Sequence, residues 1–240
     1  MGIGGKSSYK GITFENATAR VRAGENPGGD YARAVPKAQS ALRRKLTRVP
    51  FLRGLTLFFQ PGVWLILVLL AVSDALTLFG VDTDDGWSDW ALLAAVAAVF
   101  AVVWIVRRVR GYSLAAVRRY HAAEHMAINT FEARLPLTME NVAAAKRTHP
   151  RCGTNLAVII MLLGVPVILF CPYGLCLILV FCAAYEIFLI LPKARVLKPL
   201  YKACLWAQQH LTTAAPGDKE IEVAVRGLRK LTEGDGGTPR

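Results

Sequence analysis

Three stretches of almost uninterrupted apolar residues constrain this chain more than anything else in it. Gly62 to Gly80 contains Asp74 as its one charge, Trp90 to Val106 contains none, and Asn155 to Leu191 runs 37 residues with Glu186 alone. About 20 predominantly apolar residues, with roughly 17 sufficing, make a helix that crosses a bilayer. The long stretch is interrupted at Cys171-Pro172-Tyr173-Gly174, so it reads as two spans joined by a tight turn, giving four in all. With 54% hydrophobic and 19% charged residues in 240, little polar chain is left to cover four such segments inside a soluble core. The expected fold class is therefore all-α: four transmembrane helices in two hairpins, with a helical cytoplasmic domain. A small N-terminal β-hairpin fits the alternation around Glu15-Asn16-Ala17-Thr18.

Charge is segregated in the same way. The net charge is +12, from 29 Lys+Arg against 17 Asp+Glu. Residues 1–61 carry 11 basic and 3 acidic side chains, 81–89 carry none and 4, 107–154 carry 9 and 3, and 193–240 carry 9 and 5. The positive-inside rule then places both termini and the 107–154 loop on the cytoplasmic side. The expectation is a multi-pass protein of the bacterial cytoplasmic membrane, without a signal peptide because the first fifty residues are polar and basic. It divides into a basic cytoplasmic N-terminal region (1–61), a first transmembrane hairpin (62–106), a cytoplasmic loop (107–154), a second hairpin (155–191) and a cytoplasmic helical tail (192–240). Expected partners are membrane lipids, chiefly the anionic inner leaflet, and a membrane protein. Nucleic acid is not expected, since no nucleic-acid motif or aromatic–basic interleaving accompanies the charge.

The chemistry lies in the 107–154 loop. His121, Glu124 and His125 form H-x-x-E-H, the inverted zincin pattern. On a helix, positions i and i+4 share a face, so both imidazoles can reach one metal ion. Glu124 lies between them and is placed to take a proton from metal-bound water. Glu132, seven residues after His125 on the same stripe, can ligate or orient a ligand. The local chain is rich in Ala and free of Pro and Gly from Tyr112 to Leu135, as a helix requires. Three of the four histidines, His121, His125 and His149, fall within 29 residues.

A second cluster, Thr148-His149-Pro150-Arg151-Cys152-Gly153-Thr154, precedes the third apolar stretch. His149 and Cys152 are candidate third ligands, because a site of two histidines needs at least one more. Arg151 can clamp a carboxylate or phosphate. The same segment also reads as a helix boundary, with Pro starting, Gly breaking and Arg anchoring. Glu186, an ionisable residue inside a span, is a functional candidate that can ligate or pair with Arg151 or a histidine. The implied cofactor is a divalent metal, with zinc as the candidate.

Together these residues resemble the YqhQ family of bacterial membrane proteins. The resemblance rests on Tyr120-His121-Ala122-Ala123-Glu124-His125, where the family usually has Gly at the position of Ala122, and on Ile128-Asn129 and Glu132. It continues through Leu137-Thr138, Glu140-Asn141, the His149–Thr154 run, Tyr185-Glu186, and the tail Leu211-Thr212-Thr213, Pro216 and Asp218–Val225. It covers about 112 to 230. The N-terminal part departs from the family's Gly-Gly-x-Ala-Val-x-Glu-Gly-Val-Met-Met-Arg opening. Gly4-Gly5 and Gly11 align, but Lys10 stands where Glu would be and Glu15 lies near the Arg position. The resemblance implies a metal-dependent activity and supplies no substrate. The function expected is a membrane metal-dependent hydrolase with a cytoplasmic-side site, acting on a lipid or membrane peptide. The alternative of a different class is a non-catalytic membrane-protein assembly or biogenesis factor, with a structural metal or none.

Overall fold

The computed structural model of the protein describes residues 3–16, 19–26, 28, 30–34, 45–46, 49–59, 101, 105, 109, 111–170 and 174–233. The chain falls into two compact units. One comprises Met1–Gln39, Ser113–Val158 and Ile190–Arg240, and the other Ser40–Tyr112 and Ile159–Leu189. Among the described residues there are four strands and six α-helices. The strands are β1 (Gly4–Ser8), β2 (Gly11–Glu15), β3 (Ala19–Gly24) and β4 (Tyr31–Ala34). The helices are α1 (Leu114–Glu132), α2 (Met139–Ala143), α3 (Gly153–Phe170), α4 (Gly174–Ile190), α5 (Lys198–Ala207) and α6 (Asp218–Glu233).

The first unit is built on an antiparallel meander in the order β1-β2-β3-β4. Gly4 lies opposite Glu15, Gly11 opposite Gly24 and Ala19 opposite Ala34. The β2–β3 turn is set by Asn16, whose N–H donates to the Ala19 carbonyl (3.0 Å) while its side-chain oxygen accepts the Ala19 N–H (2.7 Å). Asn offers this local backbone mimicry readily. Strand alternation sends Ile12, Phe14, Val21 and Ala23 to one buried face, with Arg20 and Arg22 exposed on the other. Gly11 turns between β1 and β2 at φ +148°, where a Cβ would lie 2.1 Å from the Ala23 carbonyl oxygen, so no other residue fits.

Helix α1 starts at Ser113, whose hydroxyl accepts the Ala116 N–H, and α2 starts at Thr138 in the same way with Asn141. Both caps satisfy an amide that the helix itself leaves unpaired. Helix α6 opens on the acidic pair Asp218 and Glu220, favourable at a positive helix N-terminus. Ile221, Val225, Leu228 and Leu231 then form one buried stripe on α6, which packs on β2, β3 and α1. Gly227 allows the close approach: a Cβ there would lie 2.8 Å from that of Ala23 and 3.2 Å from the Phe14 ring. Arg226 ties the same helix to the sheet by donating to the Asp30 carboxylate and the Gly24 carbonyl.

In the second unit, a 3₁₀ helix (Leu52–Phe59) lies against α4. A Cβ on Gly54 would come within 2.4 Å of the Cys182 Cα, so the two backbones touch there. Glu186 on α4 takes two hydrogen bonds from the Arg53 guanidinium, at 2.6 and 3.0 Å, and one from the Phe51 N–H at 2.8 Å.

These elements correct the expected architecture. Among the described residues no helix is long and apolar enough to cross a membrane. The long apolar stretch is divided into α3 and α4, and the first turn of α3, through Val158, belongs to the first unit. Pro166 lies inside the remainder of α3. Helix α4 has 17 residues, about 26 Å at 1.5 Å per residue against a hydrocarbon core of about 30 Å. The four-span, two-hairpin arrangement is therefore not supported, nor is the multi-pass placement in a bacterial cytoplasmic membrane that followed from it. The expected spans at 62–80 and 90–106 lie outside the described residues, apart from Ala101 and Ile105. The all-α class is corrected as well, because the expected N-terminal hairpin is the β2–β3 pair of a four-stranded sheet.

Replacing Gly227 with Leu should destabilise the protein by about 1–3 kcal/mol through overpacking against Phe14 and Ala23, read as a lowered midpoint in chemical denaturation. Burial pushes the Asp30 carboxyl up, but the hydrogen bonds from Arg226 and the Gly24 N–H, with the charges of Arg226 and Lys230, outweigh it and hold it below its ordinary value. A depressed carboxyl contributes stability above its unfolded pKa and loses it as pH falls through the folded value. Acidification below about pH 4 should therefore lower the thermal midpoint, with a smaller loss in Asp30→Asn.

Candidate metal centre

The H-x-x-E-H stripe lies in the middle of α1, on the part of that helix packed beneath β1. His121 and His125 stack their rings with centroids 4.3 Å apart. Each imidazole is pinned through Nδ1: His121 to the Thr212 carbonyl at 3.1 Å and His125 to the Arg147 carbonyl at 2.7 Å. A carbonyl can only accept, so Nδ1 carries a proton in both rings and Nε2 is the nitrogen that remains to ligate a metal ion. This is the arrangement that orients metal-ligating histidines in general.

Cys152 completes the cluster. Its Sγ lies 3.4 Å from His121 Nε2, and ligand atoms of His121, His125 and Cys152 all fall within 4.8 Å of one another. The turn that carries Cys152 is fixed by two buried amides. Gln208 accepts the His149 N–H at 2.9 Å, donates to the His149 carbonyl at 3.0 Å, and bonds Asn155 Oδ1. Asn155 in turn donates to the Pro150 carbonyl at 2.8 Å. Gln208 sits at the start of a π-helical turn (Gln208–Thr212) that continues α5 and also delivers the Thr212 carbonyl to His121. Burial pushes the Cys152 thiol up; the hydrogen bond and charge of His125, with contacts from Thr154, outweigh it and hold the thiol below its ordinary value. A thiol so poised gives up its proton readily, as a metal ligand must.

Glu124 is 5% exposed. Its Oε2 accepts the Ser7 hydroxyl of β1. A Cβ on Gly5 would lie 2.3 Å from Glu124 Oε1, so the strand passes directly over the carboxylate. Burial raises the Glu124 pKa, offset in part by the Ser7 hydrogen bond and the charge of His121. Glu124, the two histidines and Cys152 line one cavity of about 370 Å³, together with β1 residues and Arg151.

The remaining candidates fall into separate roles. Glu132 pairs with Arg151 and lies 3.3 Å from His149 Nε2. The other ring nitrogen of His149 accepts the Arg151 N–H at 3.3 Å, and its ring lines the same cavity with its centroid 5.9 Å from that of His125. Burial and the neighbouring Arg151 charge lower the His149 pKa despite Glu132, keeping the ring neutral. Glu186 is bonded to Arg53 in the second unit. The structure therefore brings together His121, Glu124, His125 and Cys152, and sets Glu132, His149 and Arg151 beside them as an ion-pair cluster. Sequence reasoning passed over Ser7, Gly5, Asn155 and Gln208 as site residues. Two of them left a trace: Asn155 is an amide heading an apolar run, and Gln208 continues at helical spacing the mainly apolar positions Leu200, Tyr201, Cys204 and Leu205.

Two imidazole nitrogens and a thiolate suit a zinc-class divalent cation, and three protein ligands leave a fourth position open. The family model described as "Protein of unknown function (DUF1385)" matches residues 57–234, and the chain belongs to that family. It is similar to "Uncharacterized protein YqhQ" of Bacillus subtilis (strain 168), with 35% identity over 128 residues, which is 48% of this chain and 40% of the relative. The match therefore spans less than half of that relative's length. No solved structure matches the chain.

Gln208→Ala should leave the His149 backbone and Asn155 without their partners. The expected cost is about 1–3 kcal/mol in chemical denaturation, as Cys152 loses its fixed position.

Proposed function

We propose that the protein is a metal-dependent hydrolase, with a divalent cation held by His121, His125 and Cys152 and with Glu124 as its proton-transfer residue. The observation that carries this reading is the convergence of three ligand atoms within 4.8 Å beside a buried carboxylate at one cavity wall. When bound, a zinc-class ion supplies Lewis acidity, polarising an acyl oxygen and lowering the pKa of a water.

The chain's own residues supply the rest. His121 and His125 keep Nε2 directed into the cluster because their Nδ1–H groups donate to the Thr212 and Arg147 carbonyls. Ser7 holds Glu124 Oε2, which leaves Oε1 to take a proton from the attacking water and return it to the leaving group. One water is consumed: its hydroxyl ends on the acyl carbon and its proton on the departing atom, with no redox change. Burial of Glu124 under β1 keeps bulk water from competing for that proton.

Elemental analysis of purified protein should find about one divalent ion per chain, with His125→Ala and Cys152→Ser losing it. In cobalt-substituted protein, the thiolate-to-cobalt charge-transfer absorption should vanish in Cys152→Ser. Glu124→Gln should keep the ion yet hydrolyse an activated ester about 10²–10⁴-fold more slowly. Equal metal content in wild type and His125→Ala would remove the basis for the reading.

A further inference from the structure

We infer that the substrate of this site is an extended peptide, bound as an added antiparallel or parallel strand on the open edge of β1; the inference rests on the metal-hydrolase reading above. Among the described residues the sheet order leaves β1 paired with β2 alone. An edge strand carries a row of N–H and C=O groups that only another peptide backbone satisfies in register.

Three features of this edge point to a peptide. First, the cavity that holds His121, Glu124, His125 and Cys152 is also lined by Gly4, Gly5, Lys6 and Ser7, four consecutive strand residues. Gly4 and Gly5 can line it only through backbone atoms, so the cavity runs along the main chain of the strand. Second, β1 has no buried residue, whereas β2 buries Ile12 and Phe14 and β3 buries Val21 and Ala23. The exposed strand nevertheless lies directly over the buried Glu124, through Gly5 and the Ser7 hydroxyl. A chain paired along this edge would therefore run beside the proton-transfer residue. Third, Gly4 and Gly5 present no side chain, which leaves the strand backbone unobstructed to a pairing segment. Lys6 is the one charge on the strand, a common guard against edge-to-edge pairing between copies.

The test compares two probes on the zinc-loaded full chain: acetohydroxamate, which carries the metal-binding group alone, and an N-acetylated tetrapeptide ending in the same hydroxamate. Binding is measured by calorimetry and by amide hydrogen exchange. The peptide hydroxamate should compete with acetohydroxamate, bind about tenfold tighter or better through added main-chain hydrogen bonds, and slow those Gly4–Ser8 amides that exchange quickly in the free protein. Equal affinities, or protection elsewhere with none in Gly4–Ser8, would overturn the inference and leave the hydrolase reading standing. So would Gly4–Ser8 amides that are all protected before any probe is added, since another segment of the chain would then cover the edge. Failure of both hydroxamates to bind would overturn the hydrolase reading itself, and the inference with it.

Discussion

A carboxylate taken almost wholly out of water must be matched by hydrogen bonds or opposite charge, or it will not stay ionised. Glu124 is such a group, and much of the first unit is arranged around it. The Ser7 hydroxyl reaches it from the sheet, the charge of His121 acts on it from the same helix, and the chain above it can only be glycine at position 5. These contacts fix where β1 lies on α1. The meander fixes where β2 and β3 lie relative to β1, and the buried face of β2 and β3 fixes α6. For stability alone, an apolar residue at position 124 would serve at lower cost. A buried carboxylate beside two histidines and a thiol is what the proposed proton-transfer role would require.

The second constraint is that a thiol and two imidazoles must converge from elements far apart in the chain. The histidines share a helix, so their spacing is automatic. Cys152 is 27 residues beyond His125 and depends on the amide pair Asn155 and Gln208, both fully buried. Buried amides with every group satisfied are rigid and directional in a way that apolar packing is not. They hold the His149–Asn155 turn, while the adjoining π-helical turn presents the Thr212 carbonyl to His121. The ligand-bearing turn and the carbonyl that orients one ligand are thus supported from the same short segment. Glu132, Arg151 and His149 form a polar cluster at the C-terminal end of α1.

Parts of this were legible from the residues alone and parts were not. The i, i+3, i+4 pattern of His121, Glu124 and His125 gave a helical stripe, and α1 carries all three on it. The alternation around Asn16 indicated a hairpin, although the two flanking strands left too weak a pattern to be seen. Glu132 lies on the same stripe by spacing, yet spacing cannot reveal that Arg151 folds back to meet it. Glu186 stands out as a charge in an apolar run, but its partner, Arg53, is 133 residues away. The apolar runs themselves misled. Their composition suits a membrane, whereas none of the described helices is long and apolar enough to cross one, and the start of α3 belongs to the first unit.

By itself the sequence determined what local geometry determines: which residues share a helix face or a strand face, and which residue types can bind metal. Those follow from repeats of about 3.6 and 2 residues and from side-chain chemistry, with no knowledge of distant contacts. Only the tertiary structure decided that Cys152 joins His121 and His125, that β1 closes over Glu124, that Glu186 belongs to Arg53, and that the described apolar helices fall short of a span. Each of these depends on segments far apart in the chain being brought together by packing and buried hydrogen bonds, and no local pattern records which segments those are.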